Sequence, residues 1–249
     1  LTAISIAGCL FQKDKINKML VVCPTSIVSV WQADIGKFAD FAVSVAPLQG
    51  DKKKRLQALG DLEKKEDCLQ VAVINYESTF REGIFEALQK FNADMIICDE
   101  SQRIRTHNAL QSKAMHKLGD NARYKLILSG TPVQNSECDI YSQYRFLDPS
   151  IFGKSFYSFK AKYVIMGGFG GHQIIGYKNT DDLIKKAHSI AFRVTKEECL
   201  DLPEQIFINR EVDFEDKARK AYDSLKRDCV AQISNESTVT ANTVLTQIL

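Results

Sequence analysis

Five short apolar runs, rich in Val, Ile and Leu and separated by longer amphipathic stretches, constrain this chain more than any other feature of its sequence. They lie at 19–23 (MLVVC), 42–46 (AVSVA), 71–75 (VAVIN), 95–98 (MIIC) and 125–128 (KLIL). Each is nearly continuous in apolarity rather than alternating, as strands covered on both faces are. Between them, Ile27, Trp31, Ile35 and Phe38 fall on one face of a helix and predict one over 26–39. Phe80, Ile84, Leu88 and Phe91 predict another over 78–91, and Leu110, Ala114 and Leu118 mark a third. Strand, helix, strand in repetition is the βαβ pattern of a parallel sheet. The first lobe reads as doubly wound α/β.

Beyond Asn135 the pattern changes. Ser136 with Asp139 resembles a capping box, and Ile140, Tyr144 and Leu147 form a stripe that ends at Asp148 and Pro149. From 151 to 193 come aromatic residues, then a glycine cluster at 167–176 (GGFGGHQIIG), then a helical pattern over 181–189. This reads as a separate, mostly helical subregion in which the glycines form a hairpin or mobile loop. The stretch 206–214 (IFINREVDF) is expected to return as a strand and 215–233 to form a charged amphipathic helix. The division is drawn at 1–150 and 151–249.

Composition excludes several classes. With 249 residues, 45% of them hydrophobic, the chain can bury a sizeable core. No apolar run approaches the roughly 18 residues of a membrane-spanning helix, so no membrane partner is expected. Lys+Arg 33 against Asp+Glu 31 leaves a net charge of +2, so nucleic-acid contact would have to come from local groups rather than a global field. Seven cysteines form no CxxC pair or metal spacing, and are expected to be reduced thiols in a cytosolic protein. The opening LTAISIAGCL reads as an uncapped helix without the basic region of a signal peptide. Both ends read as trimmed from a longer chain.

The strongest local signal is Asp99-Glu100-Ser101-Gln102, where an apolar strand delivers two adjacent carboxylates at its carboxyl end, the edge at which open α/β sheets bind ligands. In P-loop nucleoside triphosphatases one such acid holds magnesium and its neighbour acts on the attacking water. An acidic strand-to-loop junction that caps a helix fits the same residues. After the next strand come Ser129-Gly130-Thr131-Pro132-Val133-Gln134-Asn135, small and hydroxyl residues that let a loop approach the acids; a simple turn fixed by Pro132 fits these equally.

Together the two motifs resemble those of the Swi/Snf-related ATPases of helicase superfamily two, of the bacterial or phage type. Asp99 to Gln102 looks like that family's Walker B box, and SGTPVQN from Ser129 is similar to its third motif. Pro24, Thr25 and Ser26, followed by Trp31 and Phe38, match a segment that touches a DNA strand; Asn75 and Tyr76 match the next. Arg103 to Arg105 with Ser112 and Lys113 fit the stretch after the acid box, and Leu202-Pro203 with Tyr222 the region before a second lobe.

The resemblance implies a RecA-like doubly wound parallel sheet with a helical protrusion subregion. It implies an ATPase with ATP and Mg as cofactors, double-stranded DNA as partner, and a second RecA-like lobe of the same parent chain. Asp99 would position magnesium through water and Glu100 activate the attacking water, with Gln102 sensing the nucleotide. Ser129, Gly130 and Thr131 would couple that site to DNA-binding loops holding Pro24, Thr25, Ser26, Asn75, Tyr76, Arg103, Gln134 and Asn135. Localisation would be cytoplasmic for a bacterial or phage protein and nuclear for a eukaryotic one. A non-catalytic docking module and an RNA- or DNA-unwinding helicase are the alternatives.

Two departures stand out. Gln102 replaces the usual His, and Gln cannot titrate. The phosphate-binding loop would precede Leu1, so the 249 residues alone are expected to be inactive. Elsewhere the bland readings prevail: the DKKKR run at 51–55 as a solvated face, His107 and His116 as surface residues, and Trp31 as core packing.

Overall fold

The computed structural model describes residues 1–194, 196–199, 206–228, 230–234 and 237–240. The chain divides into two compact units, Leu1–Phe192 and Arg193–Leu249. In the first, β1 (Lys18–Cys23), β2 (Val43–Pro47), β3 (Leu69–Asn75), β4 (Met95–Asp99) and β5 (Tyr124–Leu128) form one parallel sheet in the order β2-β3-β1-β4-β5. All five expected runs are strands of that sheet.

Side chains alternate across it, and both faces are dry. Leu20, Val22, Ala72, Ile74, Ile96 and Cys98 enter one core, while Met19, Val21, Cys23, Val71, Val73, Met95 and Ile97 enter the other. The first core is closed by α3 (Lys52–Leu62), α4 (Ile84–Phe91) and α5 (Leu110–Asn121), the second by α1 (Thr2–Gln12) and α2 (Val28–Phe38). Burying apolar strands on both sides is what removes the polar alternation from their sequences.

Two helices start later than the periodicity predicts. Thr25 to Ile27 form a 3-10 turn ahead of α2, and Tyr76 to Ser78 another ahead of α4. Gly83, at φ 79°, caps α4 in a left-handed conformation that a continuing helix cannot contain. The helix α6 (Asp139–Leu147) is followed by α7 (Pro149–Phe152), α8 (Phe156–Tyr163) and α9 (Thr180–His188). Tyr141, Tyr144, Phe152, Phe159, Tyr163, Leu183 and Ala187 share a third core, and this aromatic packing lies within the first unit, which extends past residue 150 to Phe192. The glycine cluster bridges an antiparallel hairpin, β6 (Val164–Gly167) with β7 (Gln173–Tyr177).

The second unit holds α10 (Lys196–Cys199), α11 (Asp216–Asp228) and an antiparallel pair, β8 (Val230–Ser234) with β9 (Ser237–Thr240). The strand expected at 206–214 takes no regular structure; strand propensity without a partner ladder does not make a strand. The helix expected to reach residue 233 stops at Asp228, because Val230, Ala231 and Gln232 pair with Thr240, Val239 and Thr238 of β9. Leu202-Pro203 and residues 241–249 lie outside the described residues. Among the described residues no helix is long and apolar enough to cross a membrane. Cys9, Cys23, Cys68, Cys98, Cys138 and Cys199 are free thiols.

Candidate active site

The chain runs from β1 out to the edge strand β2, returns to β3 beside β1, then crosses to β4 and β5 on the other side. The switch point falls between β1 and β4, and such crevices at the carboxyl edge receive ligands. Val22 pairs with Cys98, so one residue further Cys23 and Asp99 leave the sheet side by side. Asp99 pairs with Leu128, which brings Ser129 out beside Glu100. Sheet register thus assembles three separate sequence motifs at one lip.

Glu100 sits in the left-handed region at φ 54°, ψ 55°, a conformation costing a non-glycine residue about 1–2 kcal/mol. It turns the strand sharply into a 3-10 turn at Ser101–Ile104. Gln102 Nε2 donates to Glu100 Oε2 at 2.7 Å, Ser129 Oγ donates to Gln102 Oε1 at 2.8 Å, and the Thr131 amide donates to Ser129 Oγ at 3.0 Å. Gln134 Nε2 continues to Thr131 Oγ1 at 3.3 Å, and Arg105 donates to Gln134 Oε1. One unbroken path therefore runs from the second acid through the hydroxyl loop. The acids enter no ion pair among the described residues.

Asp99 is held from three sides. Trp31 Nε1 donates to its Oδ2 at 2.8 Å, the Glu100 amide donates to Oδ1 at 3.0 Å, and the Tyr76 hydroxyl donates to its carbonyl at 2.8 Å. Burial pushes the neighbouring Cys23 thiol up to about 12, with the Asp99 carboxylate adding to the shift. Burial likewise drives the Tyr76 hydroxyl far above its ordinary value, so both groups stay protonated beside the acid.

The SNF2-related domain family matches residues 1–249. The chain belongs to that family. Protein CHROMATIN REMODELING 25 of Arabidopsis thaliana is 30% identical over 139 residues, 55% of this chain and 15% of that protein. The DNA repair and recombination protein RAD54-like of Drosophila erecta is 34% identical over 145 residues, 57% and 18% respectively. The Sulfolobus solfataricus SWI2/SNF2 ATPase core in complex with dsDNA shares the fold, with TM-score 0.61 at 22% identity, covering 91% of this chain and 45% of that one. The sheet of this SNF2-related domain is therefore RecA-like. The chain spans under a fifth of the two relatives just named.

Within the SNF2-related lobe the expected nucleic-acid residues separate into an exposed and a buried group, with Pro24 half-buried between them. Thr25, Ser26, Gln134 and Asn135 are exposed, as is Arg103, whose guanidinium meets Glu77 at 2.8 Å. Tyr76 is different: it is 0% exposed, with its hydroxyl committed to Asp99, so it supports the acid box and presents nothing to a duplex. Asn75 is also buried, accepting from Arg55 Nη1 at 3.0 Å and donating to Glu77 at 2.8 Å; it holds Glu77, and through it Arg103. Arg55 is correspondingly not part of a wholly solvated DKKKR face, since burial lowers its pKa and its Nε donates to the Gly50 carbonyl.

Ser136 does not cap α6. Its hydroxyl accepts from the Cys138 amide, while Asp139 reaches back to accept from the amides of Gln134 and Asn135 at 3.2 and 3.0 Å. Those amides head no helix, since α6 begins only at Asp139. Gly130 is likewise less constrained than expected, because an added Cβ there would meet nothing within 4 Å. His107 stacks on Phe156 with ring centroids 3.8 Å apart, and His116 Nε2 donates to the Ser142 carbonyl at 2.9 Å. Both are half-buried, and burial lowers both imidazole pKa values.

Two residues of the site were missed in the sequence. Trp31 reads there as core, yet its indole nitrogen serves Asp99. Gln143 is fully buried; it accepts from Ser101 Oγ at 2.7 Å and donates to the carbonyls of Pro132 and Asp139 at 2.6 and 2.9 Å. It thereby links the acid box to the Thr131-Pro132 loop a second time. Its position three residues after Ile140, on the apolar face of α6, was the available signal.

Proposed function

We propose that this chain is the first motor lobe of a DNA-dependent ATPase that translocates along duplex DNA or displaces bound protein. Residues 1–150 would supply the ATPase lobe, and 151–249 the protrusion and the connection towards a second RecA-like lobe. The observation that carries the reading is the continuous path from Glu100 through Gln102 and Ser129 to Thr131. A path of this kind lets the state of a triphosphate at the acid pair reach the exposed loop at 131–135.

In this reading Asp99 holds magnesium through water. Its oxygen donors suit that ion, which keeps several waters and takes one or two carboxylates plus substrate phosphates rather than a full protein cage. Among the described residues no cluster of three ligating side chains exists, as that mode of binding allows. When bound there, magnesium would neutralise charge on the phosphates. Glu100 accepts the proton of the attacking water, and Gln102 fixes the Glu100 carboxylate through Oε2, so that Oε1 is left to face water. Ser129, Gly130 and Thr131 relay the outcome. Thr25, Ser26, Arg103, Gln134 and Asn135 contact the phosphate backbone, which gives binding without sequence preference. Action on duplex DNA fits the cytoplasm of a bacterial host or the nucleus of a eukaryotic one.

The test is ATP hydrolysis by the full-length protein with and without duplex DNA. Duplex should stimulate the rate, and Glu100→Gln should lower it about 10²–10⁴-fold while nucleotide still binds. Equal rates with and without duplex, or full activity in the variant, would reject the motor assignment.

A further inference from the structure

Trp31 closes the first turn of α2, the helix that follows the 3-10 turn Thr25–Ile27, in which Thr25 and Ser26 are exposed. Its ring packs against the core face that contains Val21 and Ile97, and its Nε1 donates to Asp99 Oδ2 at 2.8 Å across 68 residues of sequence. The other oxygen, Oδ1, accepts only the shorter-range Glu100 amide at 3.0 Å. One side chain thus joins the segment at the end of β1 to the carboxylate at the end of β4, over the switch point of the sheet.

We propose that Trp31 is a positioning residue that transmits nucleic-acid contact at 24–26 to the magnesium-holding carboxylate of Asp99. The proposal rests on the motor reading above. A phosphate backbone bound at Thr25 and Ser26 bears on the 3-10 turn and hence on the start of α2. Any rotation or shift of that helix moves the indole nitrogen, and with it the carboxylate to which it is bonded. Partners that orient a metal-holding group in this way are worth about 10–100-fold in metal affinity or activity. The indole is suited to the task, because it donates one hydrogen bond, cannot accept one and does not titrate, and its ring is anchored in the core.

Trp31 is the only tryptophan in the chain, so its emission reports the contact directly. In this chain, Asp99→Ala should change that emission by removing the acceptor. A short duplex, with binding followed independently by anisotropy of a labelled copy, should change wild-type emission at saturation but leave Asp99→Ala unchanged. Unaltered emission in Asp99→Ala, duplex bound without an emission change, or an equal change in both proteins would each overturn the proposal. Absence of duplex binding would instead remove the motor reading, and the proposal with it. In the full-length protein, Trp31→Phe keeps the packing and loses the donor; it should raise the magnesium concentration for half-maximal hydrolysis about tenfold with duplex affinity held within about twofold. An unchanged magnesium requirement would overturn it, and this arm decides alone should Asp99→Ala fail to fold.

Discussion

Gln102 makes the clearest case for what a single side chain does here. A neutral amide carries a donor and an acceptor at fixed separation, and Gln102 uses the first on Glu100 at 2.7 Å and the second on Ser129 at 2.8 Å. Histidine at this position could do the same only as the neutral imidazole, since the protonated ring has two donors and no acceptor for the Ser129 hydroxyl. Gln102→His should therefore support hydrolysis at high pH and lose it as pH falls through the imidazole range near about 6.5. The native glutamine should add no such limb. A pH–rate profile of the two proteins checks this, and superimposable profiles would show that the Ser129 contact is irrelevant to turnover.

At the scale of elements, α5 and α6 form the wall behind the site. They meet at Gly119 and Phe146: a Cβ on Gly119 would lie 2.7 Å from the Phe146 ring, which is 1% exposed and has no room to swing away. Arg145 and Asp120 close the same junction with hydrogen bonds of 2.7 and 2.9 Å, and the guanidinium holds the Asp120 carboxyl below its ordinary pKa. Alanine in a helix gains about 1 kcal/mol over glycine, while overpacking a closed core costs about 1–3 kcal/mol. Gly119→Ala should thus be net destabilising by up to about 2 kcal/mol, read as a lower denaturant midpoint with unchanged slope. Elements such as β1 and β4 were legible in the sequence because burial on both faces leaves a contiguous apolar run, and the acid pair was legible because it abuts one. Trp31 with Asp99, and Gln143 with Ser101, were not, because the partners lie 68 and 42 residues apart; a polar residue on the apolar face of α6 marks Gln143 as unusual, but no local pattern names either partner. Tyr76 was misplaced for a related reason: a motif match carries residue identity but not whether the side chain faces solvent or the sheet.

For the molecule as a whole, charge decides how it meets a polyanion. Lys+Arg 33 and Asp+Glu 31 nearly cancel, and of the five exposed residues assigned to the duplex only Arg103 is cationic, with Glu77 already at 2.8 Å from it. Under the motor reading, recognition would then come mainly from hydroxyl, amide and backbone groups at the ends of β1 and β5, which displace few condensed counterions. Each phosphate neutralised by a protein cation contributes about −0.9 to the slope of log affinity against log salt. Duplex binding by this chain should accordingly show a shallow slope, of about −1 to −3, measured by anisotropy across a salt series. A slope near about −8 would require a broad basic surface facing the duplex; it would relocate the nucleic-acid interface away from the loops at 24–26 and 131–135 and break the connection between that interface and the acid pair.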